Sequence, residues 1–282
     1  REGGGVVSAE IHECHWRELP VERCDLLCVD APYSEKTHKG HDDGALTASR
    51  AAEWAQRPRK NTRLNGANEV RYGLSTGLGP RKSIDYGFWT PADVDAFVDH
   101  WSPRANGWFV SLTDDVLAPA WATALARHKR FVFSPLSCVE PGSRVRMVGD
   151  GPAQWSCLAV VARPKCAPFS KWGSLPGAYV VPAGFNPRPN NGGKAVVGGK
   201  PLWLMERLVE DYSRPGDLVV DPCCGAATTG VAALRHGRRF IGGDMMPEHV
   251  ALAREAIAAE LELSTVSARK AGQVALFGQG AA

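Results

Sequence analysis

Short apolar runs that stop abruptly at an acid recur along this chain. Residues 25–29 run into Asp30, Leu218-Val219-Val220 runs into Asp221, and residues 239–243 run into Asp244. Such a run, bounded by turn-forming residues, predicts a buried strand feeding a loop. Further strands are expected over 107–112, 131–136 and 157–162. Helical spacing lies between them. Thr90-Pro91-Ala92-Asp93 reads as an N-cap, a proline at the first helical position and an acid at the third. Val94, Phe97, Val98 and Trp101 then follow at i, i+3, i+4 and i+7, one face of a helix. Other helices are expected over 117–127, from Pro201 (Met205, Leu208, Val209 and Tyr212 inward), from about Thr228, and from Pro247 (Val250, Ala253, Ile257 and Leu261 inward). After Ser264 the chain is expected to be a loosely ordered tail. Strands alternating with helices predict an α/β fold with a doubly wound, mostly parallel sheet, in which ligands sit beyond the carboxyl ends of the strands.

Two stretches break this rhythm. Residues 34–85 lose periodicity and carry ten basic against six acidic side chains. Residues 164–199 are rich in Pro, Gly and Asn, and no acid occurs over 151–205, where there are six Lys and Arg. Both read as insertions in one domain covering residues 1–282, the first of them mobile. The net charge of +3 alone selects no partner, but two positive stretches on a near-neutral chain suit a polyanion.

Composition narrows the class. Apolar residues make up 44% and charged residues 22%, ordinary globular usage. No run of 18 apolar residues occurs, so no membrane partner is expected. The beginning of the sequence lacks a signal-peptide pattern. Eight cysteines without a CxxC read as reduced thiols of a cytoplasmic protein.

Chemistry concentrates at the strand ends. In Asp221-Pro222-Cys223-Cys224-Gly225-Ala226-Ala227-Thr228-Thr229 a strand ends in an acid, and small residues turn the chain into a helix. Small residues let a ligand approach the backbone, and a helix N-terminus offers unpaired N–H groups. Asp244, at the end of the next strand, can accept both hydroxyls of a ribose. An adenosine-containing cofactor fits this pattern, and a dinucleotide does not, because G-x-G-x-x-G is absent.

Asp30-Ala31-Pro32-Tyr33 suits a different task. The amino group of a nucleic-acid base is a poor nucleophile, because its lone pair is delocalised into the ring. Two acceptors gripping its N–H bonds would free that lone pair. The Asp30 carboxylate and the carbonyl of Ala31 can do this, Pro32 stiffens the turn, and Tyr33 gives a face for an extruded base. Alone, the string is a common turn composition.

In combination the motifs are specific. Asp30-Ala31-Pro32-Tyr33 resembles the D-P-P-Y block of the beta-class DNA amino-methyltransferases, in which the catalytic block precedes the cofactor block. Lys200-Pro201-Leu202-Trp203-Leu204 resembles their K-P-x-x-L segment. Pro215-Gly216-Asp217 through Thr229 resembles P-G-D-x-V-x-D-P-F-x-G-x-G-T-T, and Gly237-Arg238 through Asp244 resembles the strand G-R-x-x-I-G-x-[DE]. The resemblance implies a Rossmann-like methyltransferase fold and S-adenosylmethionine as cofactor, held by Asp221, Pro222, Cys223, Gly225, Ala227, Thr228 and Asp244, with Lys200 and Pro201 nearby. It implies methyl transfer to adenine N6 in DNA with no metal, the strands before Asp30 and Asp221 being neighbours at the switch point. A homodimer and a restriction-modification setting are compatible with it. Three departures stand out. Ala31 replaces Pro, Cys223 replaces Phe, and Ala227 replaces Gly, adding a Cβ where backbone should approach the ligand.

Lys36, Lys39, Arg59, Lys60, Arg144, Arg146, Lys171, Trp172 and Arg188 are the candidate DNA contacts. Residues 164–199 are the candidate recognition segment, and 34–85 a clamp over DNA. Trp155 is expected in the core, as are Cys24 and Cys28. Pro222-Cys223 resembles the nucleophile of cytosine C5 methyltransferases, but a cofactor turn is the wrong setting. His12, Cys14 and His15 with Cys24 and Cys28 fit no zinc spacing. Cytosine N4 as target, RNA or a protein amide as substrate, and a degenerate homologue that only binds DNA remain as alternatives.

Overall fold

Cys24–Asp30 is buried along nearly its whole length and forms strand β2, as its apolar run requires. It belongs to a computed structural model that describes residues 7–43, 84, 86–141, 154–165, 172–182 and 198–277. The chain divides into two compact units. One comprises Arg1–Val29, Arg104–Gly107 and Arg188–Ala282, and the other Asp30–Pro103 and Trp108–Pro187.

In the first unit, β1 (Ala9–Glu13), β9 (Arg239–Asp244), β8 (Leu218–Asp221) and β2 lie side by side in that order, and every pairing is parallel. Leu26 stands opposite Val219 and Leu27 opposite Val220, so β2 and β8 end at one edge of this sheet. The Leu218 N–H also donates to the Asp25 carboxylate at 2.8 Å. Gly107 lies so close to β2 that a Cβ would stand 2.2 Å from the Asp25 carbonyl oxygen, which excludes every side chain there. Helices α4 (Leu202–Tyr212), α5 (Thr228–Arg235) and α6 (Pro247–Phe277) pack side by side, α5 and α6 also meeting the strands. The residues expected inward on α4, namely Met205, Leu208, Val209 and Tyr212, are all buried. Helix α6 continues to Phe277, where a loose tail was expected. Its later turns are rich in Ala, Leu, Gln, Lys and Arg, all strong helix formers.

In the second unit, the latter half of β3 (Ala105–Thr113), β6 (Ser156–Pro164), β5 (Leu136–Val139) and β7 (Ala178–Val180) follow one another, with β4 (Arg130–Val132) also on β6. Strands β3, β4 and β5 run antiparallel to β6, and β7 runs parallel to β5. The single strand expected over 131–136 is two. Val132 faces Ala162 and Leu136 faces Ala159, so three residues on one side span two on the other. This is a β-bulge, placed where Pro135 has no N–H to give. Strand β7 lies within the stretch expected to be irregular, and β1 was not expected at all.

Helix α1 (Glu35–Asp43) opens the stretch expected to lack periodicity; helices α2 (Pro91–Trp101) and α3 (Ala118–Arg127) come later. Thr90 caps α2 through the reciprocal box with Asp93 that its sequence indicates. Phe97, Trp101, Phe109 and Trp121 are fully buried and packed ring to ring. Each such side chain contributes about 2–3 kcal/mol on burial. Among the described residues no helix is long and apolar enough to cross a membrane.

Candidate active site

The turn after β8 is built around Asp221. Its Oδ1 accepts the Cys223 N–H at 3.1 Å and its Oδ2 the Thr229 hydroxyl at 2.6 Å. Asp221 is 1% exposed. It therefore shapes the loop from inside. Ala227 lies in the same turn. It has a left-handed backbone (φ 57°) and is 0% exposed, and its N–H donates to the Cys224 carbonyl at 2.7 Å. With this left-handed backbone and full burial, an Ala where the motif has Gly costs backbone strain. Cys223, Gly225, Ala226 and Thr228 keep partly exposed surface in this turn, while Pro222 is buried.

Asp244 closes the other side of this half-site. Its Oδ2 accepts the Gly225 N–H at 3.0 Å and its Oδ1 the Met246 N–H at 2.9 Å. His249 Nδ1 lies 3.3 Å from Oδ1. A carboxylate has roughly four lone-pair directions, so three are engaged and capacity for a further hydroxyl donor remains. Both hydroxyls of a ribose could be accepted only with some rearrangement. Met245, next to this acid, is 63% exposed. It offers an apolar face for a ring, which sequence reading missed although a methionine directly after a strand-end acid was visible. Burial, with the charges of Asp221 and Asp244, pushes the Cys224 thiol well above its ordinary pKa, so it is not a thiolate nucleophile. The Lys200 ammonium donates to the Gly198 carbonyl at 3.1 Å, and the Pro201 carbonyl accepts the first N–H groups of α4.

The second unit holds the other motif. Asp30 ends β2 half-buried, Ala31 is buried, and Pro32 and Tyr33 are half-buried. The Tyr33 hydroxyl is buried, close to Cys157, Asp30 and Cys138. Burial first, then these neighbours, hold its pKa well above the ordinary phenol value. The hydroxyl end is thus enclosed, while the residue as a whole stays half-buried. The Tyr33 carbonyl accepts the Trp89 N–H at 3.0 Å. Beyond it, Asp114 is 2% exposed and gathers donors from Ser34, Thr37, Val116 and Leu117. Sequence reading missed Asp114, whose one signal was its place just after the apolar strand β3.

Of the candidate DNA contacts, Lys36 pairs with Asp115 at 2.9 Å and Lys39 with Glu35 at 2.7 Å, both on the surface. Trp172 packs edge-on against the buried Trp108, ring centroids 5.6 Å apart. Arg59, Lys60, Arg144, Arg146, Lys171 and Arg188 lie outside the described residues. Trp155 is half-buried instead of core, because it falls just before β6 begins. Cys24 and Cys28 are buried as expected. Among the described residues no cluster of three His, Cys, Asp or Glu could hold a metal ion.

Comparison with known proteins agrees with this geometry. Residues 185–255 match the N6/N4 DNA methylase family model. The chain is 46% identical over 63 residues to type II methyltransferase M2.DpnII of Streptococcus pneumoniae, covering 22% of this chain and 24% of that protein. It is 39% identical over 80 residues to the DNA adenine methyltransferase YhdJ of Escherichia coli K12, covering 27% of each. The matched stretches thus span about a quarter of these relatives. Among solved structures, the M1.HpyAVI–SAM complex aligns with a TM-score of 0.58 at 18% identity, over 88% of this chain and 98% of that one. The cytosine-N4-specific PvuII DNA methyltransferase aligns with a TM-score of 0.55 at 16% identity, over 89% and 87%. Residues 185–255 are thus similar to the N6/N4 DNA methylase family, and the chain resembles these solved methyltransferases in fold.

Proposed function

We propose that this protein transfers a methyl group from S-adenosylmethionine to the exocyclic amine of a DNA base, adenine N6 in particular. The observation that carries the reading is Tyr33 beside Asp30: its hydroxyl is enclosed, and the residue stays half-buried next to a strand-end carboxylate. When bound, the cofactor supplies a methyl group on a sulfonium. Gly225, Thr228 and Asp244 would hold it, with Met245 against the adenine, and Asp221 and Ala227 would keep their turn in shape. Asp30 accepts one amino N–H of the base and the Ala31 carbonyl the other. Tyr33 stacks on the extruded ring. On taking up that methyl group in place of an N–H proton, the base nitrogen would hand the proton first to Asp30. Orientation and electrostatics carry the rate.

Adenine is favoured because the family more often has Ser than Asp at the first motif position for cytosine N4, and because YhdJ is named an adenine methyltransferase. Residues 164–199 are proposed to read the sequence and 34–85 to close over DNA, with salt-sensitive binding through Lys and Arg. Digestion of methylated mixed-sequence DNA to nucleosides and mass spectrometry tests the reading. N6-methyladenine that is lost in Asp30→Ala supports it. N4-methylcytosine would keep the mechanism and change the base. No methylated base, with DNA binding but no cofactor binding, would point to a degenerate binder.

A further inference from the structure

We propose that Asp114 is a positioning residue that fixes the peptide after Tyr33 and thereby aims the Tyr33 ring. This rests on the role given to Asp30 and Tyr33 above. The peptide between Tyr33 and Ser34 has two polar groups, and each is held from elsewhere in the second unit. Its carbonyl accepts the Trp89 N–H at 3.0 Å. Its N–H donates to Asp114 Oδ2 at 3.0 Å. Rotating this peptide plane, which would swing the Tyr33 side chain, breaks one of the two bonds.

Asp114 is well built for the task. Oδ2 also accepts the Ser34 hydroxyl at 2.5 Å and the Thr37 hydroxyl, so it grips the first turn of α1 as well. Oδ1 accepts the Val116 and Leu117 N–H groups at 3.1 and 3.0 Å, tying the carboxylate to the start of α3. Five donors converge on one buried charge at the end of β3. Charge-assisted bonds of this kind are about twice as strong as neutral ones. The division of labour is sharp: Oδ1 organises the residues around Asp114 itself, and Oδ2 reaches 80 residues back to the motif.

The test uses the full chain with Asp114→Asn, which keeps a carbonyl for Val116 and Leu117 and puts an NH2 group opposite the Ser34 N–H. Amide exchange of residues 30–38 is expected to rise tenfold or more. With it, kcat for methyl transfer should fall at least tenfold while KM for S-adenosylmethionine stays unchanged. If that variant does not fold, Ser34→Ala/Thr37→Val strips both hydroxyl donors, spares the carboxylate and should move both readouts the same way, by less. Unchanged exchange overturns the proposal, as does faster exchange with full kcat. A wild-type protein that methylates no base sinks the functional reading instead; exchange alone then decides whether Asp114 holds this peptide.

Discussion

The Thr229 hydroxyl donates to the Asp221 carboxylate at 2.6 Å across the turn that joins β8 to α5. Both residues are almost fully buried, so the bond is internal scaffolding. Asp221→Ala strands the Thr229 hydroxyl and the Cys223 N–H and should cost about 3 kcal/mol. Thr229→Val should cost about 2 kcal/mol, and the double variant less than the sum, since both act on one network. Urea titration of the four proteins measures this.

Ala227 predicts a stabilising change. Glycine adopts the left-handed backbone without steric penalty, so Ala227→Gly removes about 1–2 kcal/mol of strain and gives back about half through the more flexible unfolded chain. A rise in the denaturation midpoint with unchanged affinity for S-adenosylmethionine is expected. A large gain in affinity would mean that the buried Cβ does obstruct the ligand.

Asp244→Ala should weaken S-adenosylmethionine binding tenfold or more in calorimetry, because it removes the acceptor and also releases Gly225. Met245→Ala should lose less, through apolar contact alone, and Met245→Leu should restore it.

Tyr33→Phe and Tyr33→Ala separate the ring from its hydroxyl. Phe keeps the stacking face and loses only the enclosed hydroxyl beside Cys157, so single-turnover methylation should drop only a few-fold. Ala loses the face, worth about 1–3 kcal/mol per base, and should slow the reaction by a further tenfold or more.

Two groups set expectations for pH. Burial would raise the Asp114 pKa, but its bonds from Ser34, Thr37 and the backbone outweigh this and leave it below 3.8. A lowered folded pKa means stabilisation that is complete above the unfolded value and lost as pH falls through the folded one. Wild type and Asp114→Asn should therefore differ by a constant amount at neutral pH and converge in acid below about pH 4. Tyr33 works oppositely. Its raised folded pKa gives stability that is present below pH 10.0 and lost as pH climbs toward the folded value. Tyr33→Phe should flatten that alkaline loss in thermal melts recorded across pH.

Local signals were legible and distant partners were not. Thr90 and Asp93 announce α2 because a capping box is read within four residues, and the inward stripe on α4 is read within the eight from Met205 to Tyr212. Strand β1 has only Ile11 as a strongly apolar residue. It is a strand because Ala9 meets Phe240 and Ile11 meets Gly242, partners no local window contains. The bulge between Val132 and Leu136 is a matter of register with β6, which an apolar run cannot reveal. The motif acids were found, but their duties were not. Asp221 turned out to be internal, because burial depends on what packs over it, and Asp114 took its meaning from Ser34 and Thr37.

The bond between Leu218 and Asp25 joins residues 193 positions apart, and this has a cost during synthesis. At about 5–20 residues per second, roughly 10–40 s pass between the emergence of β2 and that of β8. Throughout that interval the apolar residues Leu26, Leu27 and Val29, all fully buried in the finished sheet, lack their β8 neighbour. The unit containing Asp114 and Tyr33 can be complete before the parallel sheet exists. A nascent chain of this protein is thus at its most aggregation-prone midway through translation, with β2 as the segment for a chaperone to shield.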